Sequence, residues 1–238
     1  MKNIKTVLLA LLLVVVATSC TFVAQSKERV EKNFSIKSFT SVRSHIVGNV
    51  IYTQSDDVSV YAEGEKKLMD LLTIIEEDDG TLNIFLDAKI KNISKKDLTV
   101  YISSPTIEKA ILSGVGNFKM EGSVDADDLV IDFEGVGNFE AMYLRANSVE
   151  ATYEGVGNLK LGGTTNDLKI DSDGVGLVDA EKLRAKNAVV RSNGVGGVRV
   201  YASESIDIYN NGVGNVSYYG DPEVKELKNA GVGKIRGK

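Results

Sequence analysis

The sequence predicts an all-β protein: a parallel β-helix, or solenoid, of about seven coils marked by Gly-Val-Gly and preceded by further β strands. Three observations carry this expectation. Gly-Val-Gly begins at Gly114, Gly135, Gly155, Gly174, Gly194, Gly212 and Gly231, with spacings of 21, 20, 19, 20, 18 and 19 residues. Apolar and polar residues alternate with period two on both sides of most triplets, as in Leu129, Ile131, Phe133 before Gly135 and Phe139, Ala141 after it; that is the strand signature. Short polar segments, such as Gly122-Ser123-Val124-Asp125 and Gly162-Gly163-Thr164-Thr165, separate the repeats. A sustained period near 20 means stacked units, each needing neighbours to cover its apolar surface.

Taken in order, residues 1–19 have the form of an export signal. Lys2 and Lys5 precede an apolar run from Val7 to Ala17, and Ala17-Thr18-Ser19-Cys20 follows. That run is far short of the roughly 20 residues a membrane-spanning helix needs, and its layout fits a cleaved leader. Small residues before the sole cysteine resemble a lipobox, which makes Cys20 the candidate lipidation site; plain cleavage after Ser19 is the alternative. Residues 20–33 then read as the lipidated Cys and a polar tether. From Phe34 to residue 106 lies an N-terminal β region, with strand-like runs at Val47–Thr53, Val58–Ala62, Thr81–Leu86 and Leu98–Ser103. Glu65–Ile75 carries spacing suited to one or two helical turns, and an extended Leu71–Glu76 is equally consistent. Residues 107–238 form the repeat solenoid.

Each triplet reads as a corner. Its two glycines (Gly114 and Gly116, Gly135 and Gly137, Gly155 and Gly157, Gly174 and Gly176, Gly194 and Gly196, Gly212 and Gly214, Gly231 and Gly233) let the backbone turn where a Cβ would clash. The central Val is expected to point into the core, and stacking at about 4.8 Å per coil would make a valine column about 29 Å long. A two-sheet meander with glycine bulges is the structural alternative.

The position before each triplet holds Ser113, Glu134, Glu154, Asp173, Asn193, Asn211 and Ala230. Stacking places Glu134, Glu154 and Asp173 on consecutive rungs. Oxygen ligands so close are suited to Ca²⁺, with Asn117, Asn138 and Asn158 as further donors. The simpler reading is an exposed corner whose acids splay into solvent. The same carboxylates, about 5 Å apart, would suit a retaining glycosidase, but short turns and the absence of Trp argue against a catalytic cleft, and no catalytic residue is assigned. Tyr143, Tyr153, Tyr201, Tyr209, Tyr218 and Tyr219 are candidates for a sugar-stacking platform, with ordinary packing in a Tyr-rich sheet the better-supported reading.

Composition excludes other classes. A net charge of −5 with scattered Lys and Arg argues against nucleic acid as a partner. Gly-Val-Gly lacks the third glycine of a dinucleotide fingerprint, and no Gly-Lys-Ser/Thr loop follows it. His45, the only histidine, has no His or Cys partner for zinc, so no metal site or cofactor is assigned.

Gly-Val-Gly-Asn at Gly114–Asn117, Gly135–Asn138, Gly155–Asn158 and Gly212–Asn215 resembles the Putative auto-transporter adhesin family with a head GIN domain, common among Bacteroidetes-type lipoproteins. So does the lead-in from Phe34-Ser35-Ile36 through Gly48-Asn49-Val50-Ile51-Tyr52 to Leu98-Thr99-Val100-Tyr101-Ile102. The resemblance spans roughly Phe34 to Gly220. It implies a right-handed β-helical body at the cell envelope, with no catalytic residues to carry across. Leu177, Gly197 and Lys234 depart from the pattern by replacing Asn, so an Asn ladder is expected to break after its third rung. The expectation is therefore a non-enzymatic, outer-membrane-associated lipoprotein, attached through its lipid only, that binds a glycan, a protein or an envelope component. A self-associating structural role is the alternative, and the oligomeric state is left open.

Overall fold

The computed structural model describes residues 28–87 and 97–238. The export signal, Cys20 and the first part of the tether lie outside the described residues.

From Lys109 onward the chain winds as parallel coils. The strands are β8 (Lys109–Leu112), β9 (Val115–Glu121), β10 (Val124–Phe133), β11 (Val136–Tyr153), β12 (Val156–Ser172), β13 (Val175–Ser192), β14 (Val195–Asn210), β15 (Val216–Tyr219), β16 (Glu223–Asn229) and β17 (Ile235–Gly237). The stack makes a solenoid of about 6 turns. Every corner pairs with the next in strict register: Val115 with Val136, Val136 with Val156, Val156 with Val175, Val175 with Val195, and bridges join Val195 to Val213 and Val213 to Val232. Register is enforced by the inward columns, because a slip of one residue would turn every apolar side chain outward. One column runs Phe118, Phe139, Leu159, Val178, Val198 and Val216, each at most 2% exposed. Its Phe118 and Phe139 rings stack at 5.0 Å, tilted by only 5°.

The N-terminal region supplies a further, degenerate coil. Strand β2 (Ser41–His45) pairs in parallel with β8, and β3 (Val47–Gln54) with β9, matching Val47-Gly48-Asn49 to Val115-Gly116-Asn117. Beneath it lie β6 (Thr81–Leu86) and β7 (Leu98–Ser104), parallel to β2 and β3. Antiparallel strands then close that end: β5 (Leu72–Glu76) against β6, β4 (Ser59–Glu65) against β7, and β1 (Arg29–Phe34) against β4.

Two N-terminal expectations are refined. Residues 29–33, read as tether, are strand β1, whose Val30 and Phe34 pack on the core; two apolar side chains separated by Glu31, Lys32 and Asn33 leave no alternation to detect. Glu65–Ile75 divides between the two readings, with a single turn α1 (Lys66–Met69) burying Leu68 and Met69, followed by extended β5.

Candidate functional site

At the corners, the expected inward valine column is corrected: the valines face solvent. Val115, Val136, Val156, Val175, Val195 and Val213 are 45–52% exposed and Val232 is 71% exposed. Period-two alternation explains it. With Phe133 and Phe139 inside, the inward positions between them are Gly135 and Gly137, and Val136 falls outside. The glycines are inward because two coils touch there. A Cβ on Gly137 (φ +146) would sit 1.7 Å from the Gly116 carbonyl oxygen, and one on Gly135 would sit 2.2 Å from that of Gly114. Backbone hydrogen bonds lock the contact: the Val136 N–H donates to Gly114 O at 2.9 Å and Val156 N–H to Gly135 O at 2.9 Å. Tyr153 pins one corner from inside, its hydroxyl accepting from the Gly157 N–H at 3.1 Å and lying 2.7 Å from Val175 O. Burial pushes the Tyr153 phenol above its usual range.

Two polar rows flank the valine row. On one side Asn158 Nδ2 donates to Asn138 Oδ1 at 2.9 Å, Asn138 to Asn117 at 2.9 Å, and Asn117 to Asn49 at 2.8 Å. The ladder stops where Leu177 replaces Asn, and it starts one rung earlier than the triplets indicate, at Asn49; Val47-Gly48-Asn49 was the available signal. The oxygens of Asn117 and Asn138 are thus occupied by neighbouring amides. On the other side Glu134, Glu154 and Asp173 stand exposed on successive rungs. Asp173 Oδ1 accepts from Asn193 Nδ2 at 2.7 Å, and Asn193 Oδ1 from Asn211 Nδ2 at 3.1 Å. Among the described residues no three His, Cys, Asp or Glu side chains converge as a metal site. His45 Nδ1 lies 3.2 Å from Ser113 Oγ, at the start of this row.

On the face that follows the corners, one outward column alternates in sign: Lys119, Glu140, Lys160, Asp179 and Arg199 occupy matched positions. In a parallel in-register stack identical residues lie on top of one another, so alternation replaces repulsion with attraction. Arg199 Nη1 lies 3.4 Å from Asp179 Oδ2. Such exposed pairs are each worth at most about 1 kcal/mol, and they keep this face polar.

The six tyrosines do not form one platform. Tyr153 is buried; Tyr201 lies under Arg184 at 4.1 Å; Tyr209 is bonded to Glu226 and flanked by Arg191 and Lys228, each 5.5 Å from its ring. Tyr218 packs on the core, and Lys238 lies 5.7 Å from the Tyr219 ring. Tyr143 alone of the six is freely presented, at 67% exposure. Beside it is an open groove of about 580 Å³ lined by Lys119, Met120, Glu121, Gly122, Glu140, Met142, Tyr143 and Lys182. Lys119 Nζ is 2.7 Å from Glu121 Oε1, and that hydrogen bond, chiefly, raises the Lys119 amine above its ordinary range.

Comparison with known proteins agrees with this architecture. The sequence profile described as "Putative auto-transporter adhesin, head GIN domain" matches residues 38–222, and the chain belongs to that family. A crystal structure of a putative adhesin from Bacteroides fragilis is 33% identical, covers 90% of this chain and 98% of its own, and superposes with a TM-score of 0.86. Two proteins of Parabacteroides distasonis share the fold at 20% identity. One is described as a putative lipid binding protein (TM-score 0.69, covering 88% of this chain and 97% of its own). The other is described as a putative adhesin (TM-score 0.70, covering 90% and 98%). No curated protein sequence matches the chain. Membership of an adhesin family points to the cell surface or envelope, and no described helix is long and apolar enough to cross a membrane.

Proposed function

We propose that this protein is a non-enzymatic binding module of the cell envelope, exported by residues 1–19 and anchored through lipid on Cys20, and that it holds its ligand along the outer faces of the solenoid. The observation that carries the reading is the in-register stack of corners. It presents outward side chains at fixed positions rung after rung on a backbone hydrogen-bonded from coil to coil at the corners. Such a surface is rigid before binding, so little ordering entropy opposes association with an extended polymer. Glycan, protein and other envelope components are the ligand classes it suits. The description of the Bacteroides fragilis relative as a putative adhesin supports the same role.

The test is an array of glycans, envelope polysaccharides and envelope proteins probed with the lipid-free chain from Ser26, with and without Ca²⁺. Saturable, specific binding is expected, and a blank across all three ligand classes sinks the reading. A Ca²⁺-dependent signal lost in Glu154→Gln would assign the acidic row to a cation. For the anchor, metabolic labelling with a palmitate analogue should mark the wild type and not Cys20→Ser.

The exposed valine row favours a second reading, self-association through that ridge. Sedimentation over a hundredfold concentration range decides it: a monomer throughout excludes the ridge as a dimer contact.

A further inference from the structure

Strand β11 departs from regular pairing with β12 between Ala141 and Leu144, so Met142 and Tyr143 together oppose Gly162. After Phe139 and Ala141, strict alternation would turn Tyr143 inward; the bulge seats Leu144 in the core instead, at 1% exposure, and ejects the ring. Bulges re-aim side chains in this way, and they accumulate beside binding sites. Glycines lie on both neighbouring rungs. Gly122 stands on the preceding rung, where a Cβ would meet nothing within 4 Å, and Gly162 stands on the following one. The ring therefore projects from the sheet with a glycine in the facing segment of each neighbouring rung, Gly122 and Gly162.

A large aromatic left in water forgoes the favourable burial of its apolar surface. Among the described residues no hydrogen bond or ring contact involves this ring, in contrast to Tyr201 and Tyr209, which are covered by cations. Its surroundings define what would complete it. The groove carries two cations, Lys119 and Lys182, and two anions, Glu121 and Glu140. It therefore has no net charge to attract a polyanion or a polycation, but it is dense in hydrogen-bond donors and acceptors. A flat aromatic face beside balanced polar groups matches a neutral pyranose, whose C–H face lies on the ring's negative π-face while its hydroxyls bond to the ammonium and carboxylate groups. The groove, about 580 Å³ and open to solvent, has room for a sugar ring.

We propose that the Tyr143 bulge and its groove form a saccharide subsite for a neutral glycan chain, with Tyr143 as the stacking platform and Lys119, Glu121, Glu140 and Lys182 as hydroxyl partners. This rests on the binding-module reading and names a ligand class and a place for it.

The chain has no Trp, so Tyr143→Trp installs a single fluorescent reporter at the site. Full-length protein purified in detergent is titrated with neutral hexaoses of glucose, mannose, xylose and N-acetylglucosamine. The expected result is that at least one binds in the millimolar to sub-millimolar range and shifts the Trp emission. By calorimetry, Tyr143→Phe keeps the wild-type affinity and Tyr143→Ala weakens it at least tenfold, with an unchanged melting temperature. Glu140→Gln should weaken it severalfold without affecting folding. If the wild type binds a saccharide and Tyr143→Ala binds it equally well, the subsite is overturned while the binding-module reading stands. If none of these sugars binds the wild type, the subsite is likewise overturned, and the envelope-polysaccharide and envelope-protein arms of the array still decide the broader function.

Discussion

The described residues before Pro105 close the solenoid with three antiparallel pairings, β1–β4, β4–β7 and β5–β6, whereas every pairing among strands from Lys109 onward is parallel, in register at the corners and shifted only at local bulges. The two regions hold together differently. Apart from the Val47-Gly48-Asn49 rung, contacts in the closing region are made once, by residues outside the repeat. Gln54 is the clearest case: its Nε2 donates to the carbonyls of Pro105 and Asp125, both at 2.8 Å, and its Oε1 accepts from the Asp125 N–H at 2.7 Å. In the coils the same position touches its own equivalents above and below, so a side chain too large for one rung strains two. Uniqueness makes damage local in the first region, and repetition propagates it in the second.

The sharpest way to break this contrast is at a glycine. Gly137 and Gly122 both have positive φ (+146 and +76), but only Gly137 lies against another coil. Gly137→Ala should cost about 3–5 kcal/mol, combining backbone strain with overpacking. Gly122→Ala should cost about 1–2 kcal/mol, from backbone strain alone. Equal losses in urea denaturation would show that coil-to-coil contact is not what selects glycine.

Gln54→Ala comes next, with an expected loss of about 1–2 kcal/mol from the hydrogen bonds it abandons. Hydrogen exchange should localise the opening to Gln54 and the segment around Pro105 and Asp125, leaving β12 to β14 protected. Exchange spreading evenly through the coils would contradict the local character assigned to this region.

A smaller, pH-dependent effect belongs to the closing region too. The Glu76 carboxylate accepts from the backbone N–H of Lys37 at 3.0 Å, and this bond above all lowers its pKa in the folded state. A lowered folded pKa contributes stability above the unfolded value, about pH 4.3, and loses it as pH falls through the folded value. Between pH 6 and pH 3 the wild type should therefore lose more stability than Glu76→Gln; parallel profiles would discount the contact.

The smallest effect is expected at the valine row. Val156→Ser should change stability by no more than about 0.5 kcal/mol, as at other exposed positions. A loss of several kcal/mol, read by thermal melts, would mean that the row is covered in the folded protein.

The family, the all-β class and the coil-like stacking were legible in the sequence, because a 20-residue period with strand alternation leaves few alternatives. The valines of the Gly-Val-Gly triplets were expected inside and lie outside. Counting alternation through the triplet, from Phe133 to Gly135 to Gly137 to Phe139, would have turned Val136 outward. The Asn ladder was anticipated as far as Asn158, but Asn49 was not placed in it, since Ile46 replaces the first glycine of its rung and hides the motif.

What the sequence determined by itself was thus the periodic part, where one local pattern recurs and each copy testifies for the others. The tertiary structure alone decided the aperiodic parts. Strand β1 exists because β4 offers it an edge, and its own residues carry too little pattern to announce it. Tyr143 faces solvent because the packing of Leu144 in the core forces a bulge between Ala141 and Leu144, a choice made by the fit of neighbouring coils that alternation along a single strand cannot express.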